Sequence, residues 1–498
     1  MEIKLTPDFA EFEQLAAEYD YVPVCRELVA DLDTPLTLYH KLAADEEYSF
    51  LLESLEGGER WGRYSFIGWR PALLFHQRRG VVKITRRGER PERIAARDPL
   101  PLLKKALEEM RPAPVAGLPG FFGGAVGFFS FETVKAFEKI PDTVSNDLDG
   151  ADAWFMVPGL LLIHDNLRHS LTLVSLVRVA DGKNREAVAR AWREALSELD
   201  EVVRRIRGPL AWQAPTPVPG RLDFTSNMSR EEFLGMVAKA VDYVKAGDVI
   251  QVVLAQRFRC LEKLDPGAVY RALRLINPSP YLFHFNFRGE RLIGSSPELL
   301  VRKTGRKIAV RPIAGTRPRG ADEIADRRLA EELLADPKEV AEHIMLVDLG
   351  RNDVGRVSAY GRVEVKELMT IERYSHVMHI VSHVEGKLKE GLDMFDAFRA
   401  CYPAGTVSGA PKVRALEIID ELEPNRRGPY AGAVGYFGFS GDMDFAITIR
   451  TVTVRDEVLY FQAGAGIVAD SKPEMEYQET LNKASAMRRA LELAARGW

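Results

Sequence analysis

Four glutamates stand in two pairs of identical spacing, Glu339 with Glu342 and Glu476 with Glu479. Three residues is close to one helical turn, so each pair shares a face wherever its segment is helical. Residues 337–353 (PKEVAEHIMLVDLGRND) and 474–493 both have helical periodicity. One such pair alone is ordinary solvated surface. Two such helices facing each other would build a four-carboxylate cage, the oxygen-rich setting that Mg²⁺ prefers. Lys483, four residues past Glu479, adds a cation beside that cage. The sequence does not itself pair the two helices in space.

Other stretches suit an anion. Residues 401–412 (CYPAGTVSGAPK) lead towards the Gly-rich run 428–438 (GPYAGAVGYFG). Gly405, Thr406, Ser408 and Gly409 lie between Pro403 and Pro411, which excludes regular helix or strand and presents N–H groups and hydroxyls. An ordinary surface turn is the alternative. Arg450 ends the strand-like DFAITIR and offers either a two-pronged grip on a carboxylate or a surface ion pair. Gly464-Ala465-Gly466 follows strand-like LYFQA and admits a ligand close to the backbone, without the fingerprint of a dinucleotide site. Glu298, in SSPELL, fits a buried acid or a turn residue. His376, His379 and His383 share an apolar segment, but no HExxH or CxxC accompanies them. Buried, hydrogen-bonded imidazoles are the default over a zinc site.

The 498 residues are 46% hydrophobic and 28% charged with a net charge of −4, enough for a sizeable core in two lobes. The slightly acidic balance, without a basic run, argues against nucleic acid as a partner. The acidic N-terminus (MEIKLTPDFAEFEQ) is unlike a signal peptide, and the longest apolar run, near Trp154–Ile163, is far short of the ~20 residues of a membrane span. Cys25, Cys260 and Cys401 are scattered, as reduced thiols of a cytoplasmic protein would be.

The pattern predicts helices over 1–20, 35–42 (Thr34 as N-cap, Pro35 first), 100–110 and 184–206, a β-hairpin over Tyr48–Trp69, and strands over 81–88, 153–163 and 171–179. GAVGFFSF (124–131) nearly repeats as GAVGYFGF (432–439), which suggests two sheets of similar build packed together. Residues 208–227, with four prolines, read as a linker between parts 1–207 and 228–498. The second part opens on a capping box at Ser229 and a helix to Gly247, then strands over Val249–Phe258, Tyr281–Phe287 and Arg291–Ile293. Strands with interspersed helices but no regular βαβ rhythm imply α+β with largely antiparallel sheets.

Taken in order, LLES (51–54), NPSPYLFHF (277–285), SSPELL, RPIAGTRPRG (311–320), AEHIMLVDLGRND, SHVMHIVS, PAGTVSGAPK, FAITIRT, QAGAGIVADS and EYQETLNKA resemble the chorismate-utilising enzymes. Within that family the chain most resembles the large subunits of anthranilate synthases. The resemblance implies an α/β/β/α sandwich of two interleaved sheets, with a regulatory N-terminal part and a chorismate-binding C-terminal part. It implies that Glu342 and Glu479 hold Mg²⁺, supported by Glu339 and Glu476. Tyr430, Arg450, Gly464, Ala465, Gly466 and Lys483 would grip the substrate, and Gly315 and Thr316 would line its pocket. Glu298 matches the acid that protonates the departing ring hydroxyl, and His379 the residue needed for pyruvate elimination.

Two positions separate the branches. Isochorismate and salicylate synthases carry, in place of Gln251, a Lys that activates water; Gln cannot, so ammonia is the expected nucleophile. Aminodeoxychorismate synthases commonly carry Lys in place of Ala314. That branch is the nearest rival, and a non-catalytic amino-acid sensor is the rival from another class. None of the three cysteines sits in a glutaminase-like elbow, which implies a separate glutamine amidotransferase subunit, in a heterotetramer of two large and two small subunits. The resemblance also implies inhibition by L-tryptophan held by Glu53, Ser54, Pro280, Tyr281 and Leu282.

Overall fold

The computed structural model of the chain describes residues 5–29, 32–55, 62–374 and 377–497. Most of the expected elements form for the expected reasons. Thr34 caps helix Pro35–Leu42 through a reciprocal box with Thr37, and Ser229 caps helix Arg230–Ala246 through a box with Glu232. That second helix stops at Gly247 in the left-handed conformation (φ 83°), where a Cβ would be strained. The first helix is shorter than expected, Phe9–Ala16, because residues 5–6 form a strand instead. The hairpin forms with Ser49 opposite Trp69 and Leu52 opposite Phe66; its connection over 56–61 lies outside the described residues.

All ladders between the described strands are antiparallel. Three apolar layers show how the strands are stacked. A middle layer of aromatic side chains includes Phe50, Phe128, Trp154, Phe283, Phe285 and Phe287, with Trp154 stacked on Phe287 at 4.7 Å. Of the two outer layers, one lies under helices Phe9–Ala16, Pro35–Leu42, Arg185–Arg207, Pro266–Ile276 and Pro473–Ala494. The other lies under Leu100–Met110, Arg230–Ala246, Pro337–Val357, Met394–Cys401 and Lys412–Leu422. This is the expected α/β/β/α sandwich.

Two long neighbouring strands, Tyr64–Arg78 and Ala153–Asp165, run through both halves of the sandwich. Leu160 and Leu162 enter one outer core, Phe155 and Val157 the other, while Met156 and Leu161 face the middle. A register shift between Pro71 and Leu73 lets the partner strand change cores in the same way.

The glycine-aromatic repeat has a different meaning from the one expected. Its two copies do not mark two packed sheets; they pair directly, strand Gly124–Phe129 against Ala433–Gly438, with Gly127 opposite Gly435. A Cβ on Gly127 would lie 1.8 Å from the Trp154 carbonyl oxygen and one on Gly435 2.0 Å from that of Asp444. The repeat is therefore what two adjacent strands need to be closely flanked by further backbone on their outer sides. A second pairing also joins the parts either side of 208–227: Tyr48–Glu53 lies against Tyr281–Phe287. The 208–227 segment itself packs on the C-terminal helix, its Val218 N–H donating to the Ala495 carbonyl at 2.8 Å. The strand Ser358–Arg373 was not expected; it is largely polar and pairs with Val377–Leu388.

Candidate active site

Strand Gln251–Cys260 is the floor of the site. On one edge it pairs with Val458–Ile467, placing Val253, Leu254 and Ala255 opposite Gly466, Ala465 and Gly464. On the other edge Gln251 pairs with Ala410. The 401–412 stretch is thus a buried wall of the site and not a surface turn. It also contains regular structure after all: a 3₁₀ turn over Gly405–Val407 and a two-residue strand at Gly409–Ala410. Gly409 permits that pairing, because a Cβ there would lie 2.2 Å from the Gln251 carbonyl oxygen.

The Gln251 side chain is 3% exposed and its Nε2 donates to Glu342 Oε1 at 2.9 Å. Glu342 and Glu339 lie in the first turns of helix Pro337–Val357, whose N-terminal amides are capped by Asp336. Arg317 Nη1 donates to Glu339 at 3.2 Å, and Arg317 also pairs with Asp336 at 2.8 Å. Burial raises the Glu339 pKa; Arg317 opposes the shift and the nearby Glu342 charge adds to it. On the facing helix Pro473–Ala494, burial raises the Glu476 pKa; a hydrogen bond to Ser471 opposes this and the Glu479 charge reinforces it. Lys338 also acts on Glu476, so the first turns of the two helices are neighbours. Lys483 Nζ lies 2.7 Å from Glu479 Oε1 and donates to the Gly464 carbonyl at 3.0 Å, fastening this helix to the glycine segment.

The two glutamate pairs thus sit on helices whose first turns are neighbours, and carboxylate oxygens are the donors that suit a hard divalent cation. Among the described residues, no three His, Cys, Asp or Glu side chains stand close enough together to enclose an ion. Gln251, Arg317 and Lys483 engage three of the four carboxylates instead.

Glu298, between strands Glu290–Ser296 and Leu299–Thr304, is 7% exposed. Burial pushes its carboxyl up to about 8, against the opposing influence of the Thr406 hydroxyl and the Lys483 charge. The Thr406 oxygen is itself buried and stands beside the carboxyl without completing a hydrogen bond. Arg450 follows strand Met443–Ile447 with a left-handed backbone (φ 51°), its carbonyl accepting from Ser295 N–H at 3.1 Å. Burial lowers the Arg450 pKa, and only Tyr430 opposes that, with no carboxylate contributing. A guanidinium desolvated without a counter-charge is poised for an anion. The Tyr430 phenol, pushed up to about 12 by burial, borders Gly464, where a Cβ would lie 3.1 Å from its oxygen.

His379, on strand Val377–Leu388, is opposite Thr316 of strand Ile313–Pro318. Its Nδ1 lies 3.0 Å from both the Gly315 carbonyl and the Thr316 hydroxyl. A carbonyl can only accept, so Nδ1 carries the proton and Nε2 is left as the basic atom. Burial lowers the His379 pKa; the hydrogen bond to the Gly315 carbonyl and the Glu372 charge oppose this, and the Arg450 charge adds to it. Gly315 (φ 72°) also borders Glu339, 3.2 Å from where its Cβ would be. His383 is elsewhere engaged, its Nε2 2.8 Å from Glu385. His376 lies outside the described residues.

The five residues expected to hold an inhibitor come from two adjacent strands and the turn beside them. Glu53 is opposite Leu282, and its buried carboxylate accepts from Tyr270 at 2.5 Å and Arg274 at 3.1 Å. Strand alternation sends Leu282 into an outer core and Tyr281 towards the middle layer, where the Tyr281 hydroxyl donates to Asp444 at 3.0 Å. Ser54 and Pro280 lie at the edge between the two strands.

Sequence reasoning missed the scaffold behind the floor. The buried Arg427 donates to Glu423, to the Val407 carbonyl at 2.7 Å and to the Val253 carbonyl at 2.7 Å, while Glu423 accepts from Ala255 N–H at 2.9 Å. This pair ties the 401–412 wall to the floor strand. Its only signal was a Glu and an Arg four residues apart.

Comparison with known proteins gives the family. The family described as chorismate binding enzyme matches residues 47–489. Anthranilate synthase component 1 of Aquifex aeolicus (strain VF5) is 45% identical over 494 residues, 99% of each chain. That of Pseudomonas aeruginosa is 47% identical over 496 residues, 97% of this chain and 98% of its own. The crystal structure of anthranilate synthase component I from Streptococcus pneumoniae TIGR4 superposes with a TM-score of 0.74 at 36% identity, covering 93% of this chain and 99% of that one. The chain belongs to the chorismate-binding enzyme family, alongside the anthranilate synthase component 1 proteins.

Proposed function

We propose that this chain is the large subunit of an anthranilate synthase, which aminates chorismate with ammonia, expels the ring hydroxyl and eliminates pyruvate to leave anthranilate, the first step of tryptophan biosynthesis. The observation that carries this reading is Gln251, whose amide is committed as a donor to Glu342 and has no basicity with which to activate water. Near-full-length identity to component 1 proteins supports it.

In this reading Arg450 and Lys483 take the anionic groups of chorismate, with the Tyr430 hydroxyl and the small Gly464–Gly466 segment allowing close approach. Gly315 and Thr316 line the pocket and orient His379. Glu298, protonated at neutral pH, donates its proton to the departing ring hydroxyl. His379 Nε2 then accepts a ring proton as pyruvate leaves. Glu342 and Glu479, supported by Glu339 and Glu476, would hold Mg²⁺, which when bound neutralises the ring carboxylate.

Ammonia comes from a separate glutamine amidotransferase subunit, in a complex of two large and two small subunits in the cytoplasm. All three cysteines are buried, and burial pushes the Cys25 and Cys260 thiols up to about 12, the reverse of an activated nucleophile. No helix among the described residues is long and apolar enough to cross a membrane. Tryptophan acts as feedback inhibitor at Glu53, Ser54, Pro280, Tyr281 and Leu282.

The test is product identity. Incubation with chorismate, MgCl₂ and ammonium is expected to give anthranilate and pyruvate in equal amounts. Aminodeoxychorismate, isochorismate or unchanged chorismate would overturn the assignment.

A further inference from the structure

The face of strand Tyr281–Phe287 turned away from the aromatic middle layer looks into a cavity of about 520 Å³, bounded by helix Pro35–Leu42 and residues 208–215. It shares no residue with the Glu298–Arg450 site. Three buried polar atoms of its lining have no partner: His40 Nε2, His284 Nε2 and Asn286 Oδ1. Buried polar atoms are almost always satisfied, so three in one cavity call for a reason. His284 is 5% exposed and held between the rings of Tyr39 (5.2 Å) and Tyr270 (5.8 Å). Asn286 is oriented by its own amide, which donates to the Glu46 carbonyl at 2.7 Å, leaving Oδ1 as an acceptor.

Charge supplies an independent observation. Arg291, directly across the ladder from Asn286, is close enough to act on both Tyr39 and His284. Neither Arg291 nor Arg205 has a carboxylate partner among the described residues; Arg205 donates only to the Lys41 carbonyl, at 2.8 and 3.1 Å. Two acidic groups among the described residues belong to the lining: Asp265 is engaged in capping helix Pro266–Ile276, and Asp45, exposed at the rim, acts on Tyr39 and His40 but forms an ion pair with neither guanidinium. Trp212 adds an aromatic wall beside His40. Water can satisfy orphan polar atoms, but it brings no charge to set against two guanidiniums. The volume falls within the range of small-molecule sites, about 300–1,000 Å³.

We infer that this cavity is a second ligand site, for a small metabolite that places an oxyanion, carboxylate or phosphate, between Arg291 and Arg205 and an O–H donor against Asn286 Oδ1. His284, neutral because burial pushes it down to about 3, completes the site through Nε2.

Calorimetric titration of the full chain with glycerol 3-phosphate and, separately, L-malate tests this, with Trp fluorescence as a second readout. Saturable one-to-one binding of at least one is expected, weakened about 10-fold or more by Arg291→Met, as loss of a charge-assisted hydrogen bond implies. Binding of glycerol 3-phosphate alone identifies the phosphate source and binding of L-malate alone the carboxylate source. Arg205→Met gives the same readout should Arg291→Met fail to fold. Absence of saturable binding by both probes up to about 10 mM, or binding that neither substitution weakens, overturns the inference.

Discussion

The amide of Gln251 and the carboxylate of Glu342 are joined across the site by a 2.9 Å hydrogen bond. The bond fixes Glu342 in orientation and engages one of its two oxygens. Glu342→Gln should abolish Mg²⁺-dependent turnover without lowering the melting temperature by more than a few degrees, and Glu479→Gln should do the same. Gln251→Leu keeps the carboxylate but removes its donor, and should cost about 1–3 kcal/mol of transition-state stabilisation, a 5- to 150-fold loss in kcat/KM. Steady-state kinetics over a Mg²⁺ titration checks all three. Normal turnover of the two Glu variants at sub-saturating Mg²⁺ would remove them from the metal site.

As the proposed acid, Glu298 should give the reaction its alkaline limit. The acid acts only while protonated, so the rate should fall as pH rises through about 8. Glu298→Gln should lose about 10²–10⁴ in kcat. It should also stabilise the fold at alkaline pH. The folded carboxyl holds its proton above the unfolded value, so wild-type stability declines as pH rises between the usual carboxylate range and about 8. The melting-temperature gap between variant and wild type should therefore widen from pH 5 to pH 9, and a constant gap would show that the carboxyl is not shifted.

In the proposed mechanism His379 serves the second of the two chemical steps. His379→Ala should slow pyruvate release far more than amination, so that the aminated, non-aromatic intermediate accumulates. Chromatography of the quenched reaction reads this directly. With the ring's pKa lowered by burial, acid inactivation should set in only below the ordinary imidazole range. Complete arrest of chorismate consumption, with no intermediate, would assign His379 to the first step instead.

At the proposed inhibitor site, Glu53 is already held by Tyr270 and Arg274, which leaves Ser54 as the position where added bulk can block a ligand without breaking that pair. Wild type should be inhibited by tryptophan, and Ser54→Phe should remain active but insensitive. Superimposable tryptophan titrations of the two proteins would move the inhibitor elsewhere.

Local signals in the chain survived into the structure wherever the cause was local. The capping boxes at Thr34 and Ser229, the E-x-x-E helices and the Tyr48–Trp69 hairpin all depend on residues a few positions apart. What was not legible depends on partners far away in sequence. Thr406 acquires its role from Glu298, and Glu423 and Arg427 from the carbonyls and amides of strand Gln251–Cys260. The glycine-aromatic repeat was visible, but pairing with its own copy cannot be told from pairing with a third strand without the register. Tyr281 and Leu282 were both expected beside one inhibitor, and strand alternation sends them to opposite faces.

The strands Tyr64–Arg78 and Ala153–Asp165, which pass through both outer cores, set a limit on how this gene product can be divided. Cleavage within 208–224 would cut no ladder, yet each fragment would be left with bare edges: Tyr48–Glu53 and Gly124–Phe129 on one, Tyr281–Phe287 and Ala433–Gly438 on the other. Neither half is a self-sufficient folding unit. The two fragments would have to be made together, and would reassemble by mutual strand complementation or aggregate through those same edges.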